Sequence, residues 1–142
     1  MQPMSVTGIY EHNMDAKGRL FIPAKLREDL GANAYLSIGK SGCLAIYTQE
    51  SWEKLTQRYD EAEGADKTAL RPIFAYSSKC EPDSQGRIVI PQVLREFAKL
   101  EKEVVVTGAN DKAEIWRESK WQEMYGTPVE EDITSMLEKL GL

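Results

Sequence analysis

Two short apolar runs, each bounded by the same polar residues, dominate the hydrophobic pattern of the chain. Leu20-Phe21-Ile22 and Ile88-Val89-Ile90 each follow an Asp-x-x-Gly-Arg segment and precede a proline. Asp and Gly favour a tight turn, because an aspartate accepts hydrogen bonds from nearby backbone N–H groups and glycine adopts positive φ without steric cost. The apolar runs are rich in residues that favour strands. The pattern therefore predicts the same turn and strand twice.

The segments that follow predict a short helix and then a hairpin in each half of the chain. Pro23 and Pro91 end the two strands, since proline cannot donate to a sheet ladder but suits the first position of a helix. Helices are expected over Ala24 to Leu30, with Gly31 as the stop, and over Gln92 to Leu100. Two hairpins are expected to follow, formed by Tyr35 to Ile38 with Leu44 to Tyr47 and by Val104 to Thr107 with Glu114 to Trp116.

The two halves are copies of one motif. DAKGRLFIPAKLRE (15–28) and DSQGRIVIPQVLRE (83–96) share eight residues at an offset of 68, and weaker matches continue at an offset of 69 in the pairs Gly39 and Gly108, Ile46 and Ile115, Trp52 and Trp121. Two copies are too few for a solenoid. A single motif would also leave open strand edges and an uncovered apolar face. We therefore predict a pseudo-twofold pair in which each half completes the core of the other.

The remaining segments predict helices. Apolar residues recur at helical spacing from Trp52 to Ala62, Gly64 should break this helix, and Pro72 should start or kink another. Near the end, Thr127-Pro128-Val129-Glu130 predicts a capping box with proline at the first helical position. An apolar stripe that should cover core or a neighbouring subunit follows at Val129, Ile133, Met136, Leu137 and Leu140.

Composition narrows the function classes. The net charge of −5 argues mildly against a nucleic-acid partner, but local charge decides phosphate attraction, and the acidic residues cluster away from the two motifs. Cys43 and Cys80 lack metal-ligand spacing and His12 is the only histidine, so we expect reduced thiols, no metal and no cofactor. We also expect a cytoplasmic protein, because the opening MQPMSVTGIYEH does not read as a signal peptide and no apolar run approaches a membrane span.

Catalysis finds little support in the sequence. Asp15 and Asp83 occupy matching positions, which would suit general acid–base chemistry. Each is followed four residues later by an arginine, however, which should lower the carboxyl pKa and keep it ionised. Nucleophile and phosphate-loop motifs are missing from the sequence. We therefore predict that the protein is not an enzyme.

Basic residues around the turns are the better functional candidates. Lys17 and Arg19 lie at the first turn, and Gln85 and Arg87 take their places at the second. Arginine meets guanine O6 and N7 with two parallel hydrogen bonds. Two interpretations stay open: the Asp–Arg pairs close the turns, or the arginines contact DNA. Both can hold, because an aspartate that orients an arginine prepares it for a base edge.

The paired D-x-x-G-R-[LIV]-x-I-P-x-x-L-R segments resemble the MraZ family, which belongs to the AbrB-like, swapped-hairpin class. The resemblance covers nearly the whole chain. It implies an α+β, mainly β protein, a double-split β-barrel built from two tandem pseudo-twofold repeats with connecting and C-terminal helices. The implied segments are a first repeat (5–52), a helical connector (53–80), a second repeat (81–124) and a C-terminal amphipathic helix (125–142).

The resemblance also implies a function. Members of the family are sequence-specific transcriptional regulators that bind double-stranded DNA at short G-rich repeats upstream of their own division and cell-wall gene cluster. They form ring-shaped homo-oligomers, and a nucleoid-associated location follows. The expected DNA-binding residues are Asp15, Lys17, Arg19, Asp83, Gln85 and Arg87, with Lys25, Arg27 and Arg95 as secondary candidates for phosphate contact.

Two other functions stay open. An AbrB-like antitoxin would bind DNA and also a toxin through its C-terminal segment, although that segment is periodic and capped rather than disordered in character. A structural oligomer without a DNA role is the second. Retention on DNA that depends on salt would separate a regulator from the structural oligomer.

Overall fold

The computed structural model describes residues 5–142, so the first four residues of the opening stretch lie outside it. Within that range the chain forms eight strands, six α-helices and one short 3-10 helix (Lys40–Gly42). The strands are β1 (Ile9–Asn13), β2 (Arg19–Phe21), β3 (Tyr35–Ile38), β4 (Leu44–Tyr47), β5 (Ser78–Lys79), β6 (Arg87–Val89), β7 (Glu103–Gly108) and β8 (Lys112–Arg117). The helices are α1 (Ala24–Leu30), α2 (Gln49–Glu61), α3 (Gly64–Ala75), α4 (Gln92–Phe97), α5 (Glu118–Tyr125) and α6 (Glu130–Lys139).

The strands form two antiparallel assemblies with matching internal symmetry. Six of them make one sheet in the order β1-β7-β8-β4-β3-β5, and β2 pairs with β6 to make a two-stranded ribbon. The hairpins β3–β4 and β7–β8 meet at the centre of the sheet through β4 and β8. The flanking strands are exchanged: β1 precedes the first motif but pairs with β7, and β5 precedes the second motif but pairs with β3.

The β2–β6 ribbon joins the two motifs most directly. Leu20 lies opposite Ile88 in its ladder. Beyond the ladder, Ile22 N–H donates to Gly86 O at 2.9 Å, and Ile90 N–H donates to Gly18 O at 2.8 Å. Each motif therefore supplies the hydrogen-bond partner for the strand end of the other. This confirms the predicted α+β class and the exchange of strands between the repeats. The hydrogen bonds group the strands of the expected barrel into a sheet and a ribbon.

The core draws equally on both halves. Leu20 and Ile88 are the inward-facing residues of the ribbon, at 0% and 4% exposure. They belong to one buried cluster with Leu26 of α1, Leu94 of α4 and residues of the central sheet. Because apolar burial is the main favourable term in folding, neither half could retain this core alone.

The connector packs against the sheet through aromatic side chains. Trp52 of α2 stacks on Tyr35 with ring centroids 4.8 Å apart and also contacts Phe74 of α3. Tyr59 meets the same Phe74 ring at 4.7 Å. The break predicted at Gly64 is confirmed, since α2 ends at Glu61 and α3 begins at Gly64. Pro72 lies inside α3 and does not start a helix, and the alternative that it kinks the helix stays a prediction.

Sequence reasoning missed two strands and misjudged several ends. The flanking strands β1 and β5 were absent from the predicted order of turn, strand, helix and hairpin, because their pairing partners lie in the other repeat. The motif strands lie one residue earlier than expected, since the N–H groups of Ile22 and Ile90 bond to a turn rather than to a strand. Helix α4 ends at Phe97 instead of Leu100, and Lys99 follows with a φ of 53°.

The expected capping box near the C-terminus is also wrong. Helix α6 begins at Glu130, and the residue before it, Val129, is extended with φ −98° and ψ 114°. No side chain caps this end of the helix. Glu130, Glu131 and Asp132 nevertheless occupy the first turn, where the helix dipole favours negative charge.

Candidate nucleic-acid interface

The aspartate of the first motif closes its turn and holds an arginine at the same time. Asp15 Oδ1 accepts hydrogen bonds from the backbone N–H groups of Lys17 and Arg19 at 3.0 and 2.9 Å. Its second oxygen, Oδ2, accepts from Arg19 Nε at 2.6 Å. Because Nε is the donor used, the outer nitrogens of the guanidinium are not part of this hydrogen bond.

The second motif repeats this arrangement in detail. Asp83 Oδ1 accepts from the N–H groups of Gln85 and Arg87 at 2.8 and 2.9 Å, and Oδ2 accepts from Arg87 Nε at 3.1 Å. The backbone bonds match as well, since Gly86 N–H donates to Asp83 O at 2.9 Å. The two turns are therefore structural equivalents as well as sequence repeats.

Both carboxyl groups are held in the ionised state. Hydrogen bonds from the Arg19 backbone and side chain lower the pKa of Asp15 below its ordinary value of 3.8. The backbone N–H of Arg87, together with that of Gln85 and the Arg87 side chain, lowers the pKa of Asp83 in the same way. A carboxylate that stays ionised is a poor general acid at neutral pH but a good anchor for an arginine.

The ribbon gathers both arginines on one outer face. Side chains alternate along a strand, and Leu20 and Ile88 point into the core, so Arg19 and Phe21 of β2 face outward with their partners on β6. Arg19 lies directly opposite Val89, and Phe21 lies opposite Arg87. The arginines thus occupy diagonal positions, with Cα atoms about 8 Å apart for standard strand spacings. Their side chains are 35% and 32% exposed.

The first turn packs against residues of the other repeat. Gly18 has a φ of +78°, and a Cβ placed on it would lie 2.7 Å from Arg95 Nη1 and 2.9 Å from Ile90 O. The guanidinium of Arg95 and the end of β6 therefore lie directly against this turn. Arg95 Nε is buried and has no hydrogen-bond partner in the described chain.

The second turn is supported by its own set of cross-repeat contacts. Gly86 has a φ of +81°, and a Cβ there would lie 2.9 Å from Phe21 Cε1 and 3.1 Å from Arg27 Cζ. Arg27 Nε donates to Ile22 O at 3.0 Å, which fixes the guanidinium in place. Arg27 and Arg95, expected as secondary phosphate contacts, thus each lie against the turn of the other repeat, and phosphate contact by either residue stays a prediction.

The lysine candidates differ in their freedom. Lys25 Nζ bonds to Thr7 Oγ1 and to Asp29 Oδ2, each at 3.0 Å, and the Asp29 interaction raises the pKa of Lys25. Lys17 is exposed on the first turn, and the equivalent Gln85 is exposed on the second. The first turn therefore carries one more positive charge than the second.

The outward-facing apolar pair on the ribbon was not identified from sequence. The apolar runs predict Phe21 and Val89 only as strand-forming residues, yet they are 37% and 62% exposed. The signal was available, because strict alternation with the inward Leu20 and Ile88 predicts outward positions for both.

Across residues 5–142, side chains form no cluster suited to a metal ion, and none of the helices is long and apolar enough to cross a membrane.

Fold and turn geometry together define a class. The chain is a tandem swapped-hairpin protein of the AbrB-like type, in which two exchanged repeats present two equivalent Asp–Arg turns beside one ribbon. A family model described as "MraZ protein, putative antitoxin-like" matches residues 6–71 and 73–139. The chain belongs to the MraZ family.

Similar proteins of the family cover most of this chain. The protein named Transcriptional regulator MraZ of Lactiplantibacillus plantarum is 44% identical over 119 residues, which is 82% of this chain and 84% of the relative. The protein of the same name from Halothermothrix orenii is 39% identical over 140 residues, 95% of this chain and 98% of the relative. That of Acetivibrio thermocellus is 41% identical over 138 residues, 95% and 96% of the two chains.

Proposed function

We propose that this protein is a sequence-specific DNA-binding transcriptional regulator, and that it does not act as an enzyme. The observation that carries the proposal is the pair of ionised aspartates, each of which holds an arginine on the outer face of the β2–β6 ribbon. The names of the relatives, all transcriptional regulators, support the same function.

The ribbon has dimensions and chemistry suited to a major groove. That groove is about 12 Å wide and admits a two-stranded β-ribbon. Arg19 and Arg87 lie on the ribbon face and are tethered through Nε, which leaves their outer guanidinium nitrogens to meet guanine O6 and N7. Lys17 contacts phosphate at the edge of the groove, and its counterpart Gln85 adds no charge.

We further propose the target and the place of action. The protein binds short G-rich repeats upstream of its own division and cell-wall gene cluster, in the cytoplasm at the nucleoid. Guanine-rich repeats match a surface whose base-reading residues are arginines. Repeated sites also match a protein that places several copies of the ribbon along one duplex, because linked contacts raise the overall affinity.

The assembly we propose is a ring of identical subunits. Every residue of α6 is exposed, and the apolar stripe that runs along it to Leu140, the residue after the helix, includes Ile133 at 49% and Leu140 at 65% exposure. An apolar stripe of this kind would be buried against a neighbouring copy, and head-to-tail contacts close into a ring if the rotation allows. Ile133→Glu should therefore give smaller particles by light scattering. Ser135→Glu, on the polar face of α6, is the matched control, and a wild-type monomer at micromolar concentration would refute the ring.

The DNA proposal is tested by titrating the native upstream duplex and a guanine-substituted copy at several salt concentrations. Arg19→Ala and Arg87→Ala should each cost about 1–3 kcal/mol of binding free energy and reduce the preference for guanine. Lys17→Ala should weaken all sequences alike and lower the salt slope by roughly one charge. Gln85→Ala is the matched control, with a smaller loss. Unchanged affinity and guanine preference in both arginine variants would show that the turns are only structural.

A further inference from the structure

We propose that Phe21 and Val89 are specificity-determining residues that contact thymine methyl groups next to the guanines met by the arginines. This inference rests on the proposed DNA-binding function and deepens it. It assigns the outer face of the β2–β6 ribbon a mixed chemistry, with two cationic and two apolar side chains, and it predicts a base preference that arginine alone cannot give.

Exposure is the first observation behind this inference. Val89 is 62% exposed and Phe21 is 37% exposed, although both lie in strands whose alternate residues are fully or almost fully buried. Apolar side chains that remain in water forgo the free energy of burial. In both repeats the exposed residue lies two positions after the arginine and two positions before the proline, so the exposed apolar position is part of the repeat itself.

The register of the ribbon is the second observation. Val89 lies directly opposite Arg19, and Phe21 lies directly opposite Arg87. Directly opposed side chains in an antiparallel pair have Cβ atoms about 4.5–5.5 Å apart. Successive bases on one strand are about 3.4 Å apart along the helix axis. A guanine met by Arg19 therefore places a neighbouring base within reach of Val89, and the same relation holds for Arg87 and Phe21.

The charged surroundings identify the occupant as DNA. Two outward-facing side chains form a patch far smaller than the roughly 1,000 Å² that a specific protein interface buries, and arginines flank them on the same face. A negatively charged duplex complements those arginines. The thymine C5-methyl is the apolar group that the major groove displays, and small apolar side chains and phenylalanine are among its partners.

The two apolar residues are held differently, which shapes the test. Phe21 meets His12 edge to face with ring centroids 5.4 Å apart, and it also lies against the second turn at Gly86. Val89 is the more exposed of the two. Val89→Ala is therefore the cleaner variant, and Phe21→Val, which installs the side chain of the other repeat, is safer for the turn than a change to alanine.

The experiment compares the native upstream duplex with a copy in which deoxyuridine replaces thymine beside the guanines, because this change removes only the methyl groups. Wild type should bind the uracil duplex about fourfold more weakly per contacted methyl, the factor expected for burying one group of that size. Val89→Ala, which removes the outer methyl groups of the valine, should bring the thymine-to-uracil ratio closer to one. Phe21→Val, which installs the side chain that makes the same contact in the other repeat, should keep the ratio above one. Val93→Ala, the same change at a 41% exposed position of α4, should keep the wild-type ratio.

The outcomes separate this inference from the function on which it rests. A wild-type protein that prefers guanine but binds both duplexes equally would overturn the methyl contact and leave the DNA-binding proposal intact. A folded Val89→Ala protein with an unchanged ratio would also overturn it. So would a Val89→Ala protein that changes only in oligomeric state, since that result would make the patch a subunit contact. A wild-type protein without salt-sensitive DNA binding would refute the proposed function itself.

Discussion

Replacement of Gly18 by alanine should destabilise the protein more than the same replacement at Gly86. Both glycines have positive φ, at 78° and 81°, and each donates its N–H to the carbonyl oxygen of its turn aspartate. A left-handed conformation costs an alanine about 1–2 kcal/mol, and the lower entropy of the unfolded alanine chain offsets about 0.4–1 kcal/mol of that. This conformational cost should be nearly the same at the two equivalent positions.

The cross-repeat contact adds to this cost at Gly18. An added methyl group would lie 2.9 Å from Ile90 O and 2.7 Å from Arg95 Nη1. Ile90 O is a backbone atom and cannot move aside easily. Overpacking of this kind costs about 1–3 kcal/mol, so Gly18→Ala should lose about 2–4 kcal/mol in total. At Gly86 the nearest atoms belong to the side chains of Phe21 and Arg27, which can shift, so the loss there should be smaller.

Urea denaturation followed by tryptophan fluorescence measures the two losses, with Gly86→Ala as the internal reference for the same substitution in the equivalent turn. The m-value should remain unchanged, since the alanines alter the folded packing and not the extent of unfolding. A Gly18→Ala protein as stable as Gly86→Ala would refute the close contact between the first turn and the end of β6. It would also refute the inference that each repeat supports the turn of the other.

Three further predictions concern side chains near the turns and core. Burial raises the pKa of Cys43 to about 12 and of Cys80 to about 11. Both thiols should therefore react with iodoacetamide at pH 8 far more slowly in the native protein than in urea. Equal rates under the two conditions would contradict their burial. The turn aspartates have folded pKa values below the unfolded ones, so their stabilising effect should be present above the ordinary value of 3.8 and be lost as pH falls through the folded pKa. Carboxyl carbon chemical shifts followed by NMR check this, and midpoints at or above 3.8 would be inconsistent with the turn hydrogen bonds. Arg27→Ala should accelerate amide hydrogen exchange at Gly86 while Lys25→Ala leaves it unchanged, and equal exchange in both variants would argue against support of the second turn by Arg27.

Much of the local structure could be predicted because it depends on neighbours in sequence. Asp15 accepts hydrogen bonds from residues two and four positions later, so the turn and its ion pair depend on five consecutive residues. The hairpins β3–β4 and β7–β8 were predicted nearly at their observed positions for the same reason, since each pairs strands joined by a short loop. The repeat itself predicted that two such units would combine.

Long-range pairing was not predicted to the same degree. Strand β5 has only two residues, Ser78–Lys79, and no apolar alternation marks it. It is a strand because β3 offers it an open edge. The same applies to Arg95, whose sequence position suggested a surface cation and whose guanidinium instead lies against Gly18 of the other repeat.

The sequence by itself therefore determined the two turns, their ionised aspartates, the paired arginines and the repeat that joins them. Only the tertiary structure decided that β2 pairs with β6, which places Arg19 opposite Val89 and Arg87 opposite Phe21 on one outer face. The physical reason is the range of the interactions. Hydrogen bonds within a turn close over four residues, whereas the ribbon depends on contacts between residues 66 to 70 positions apart, and those form only when both halves bury their common core.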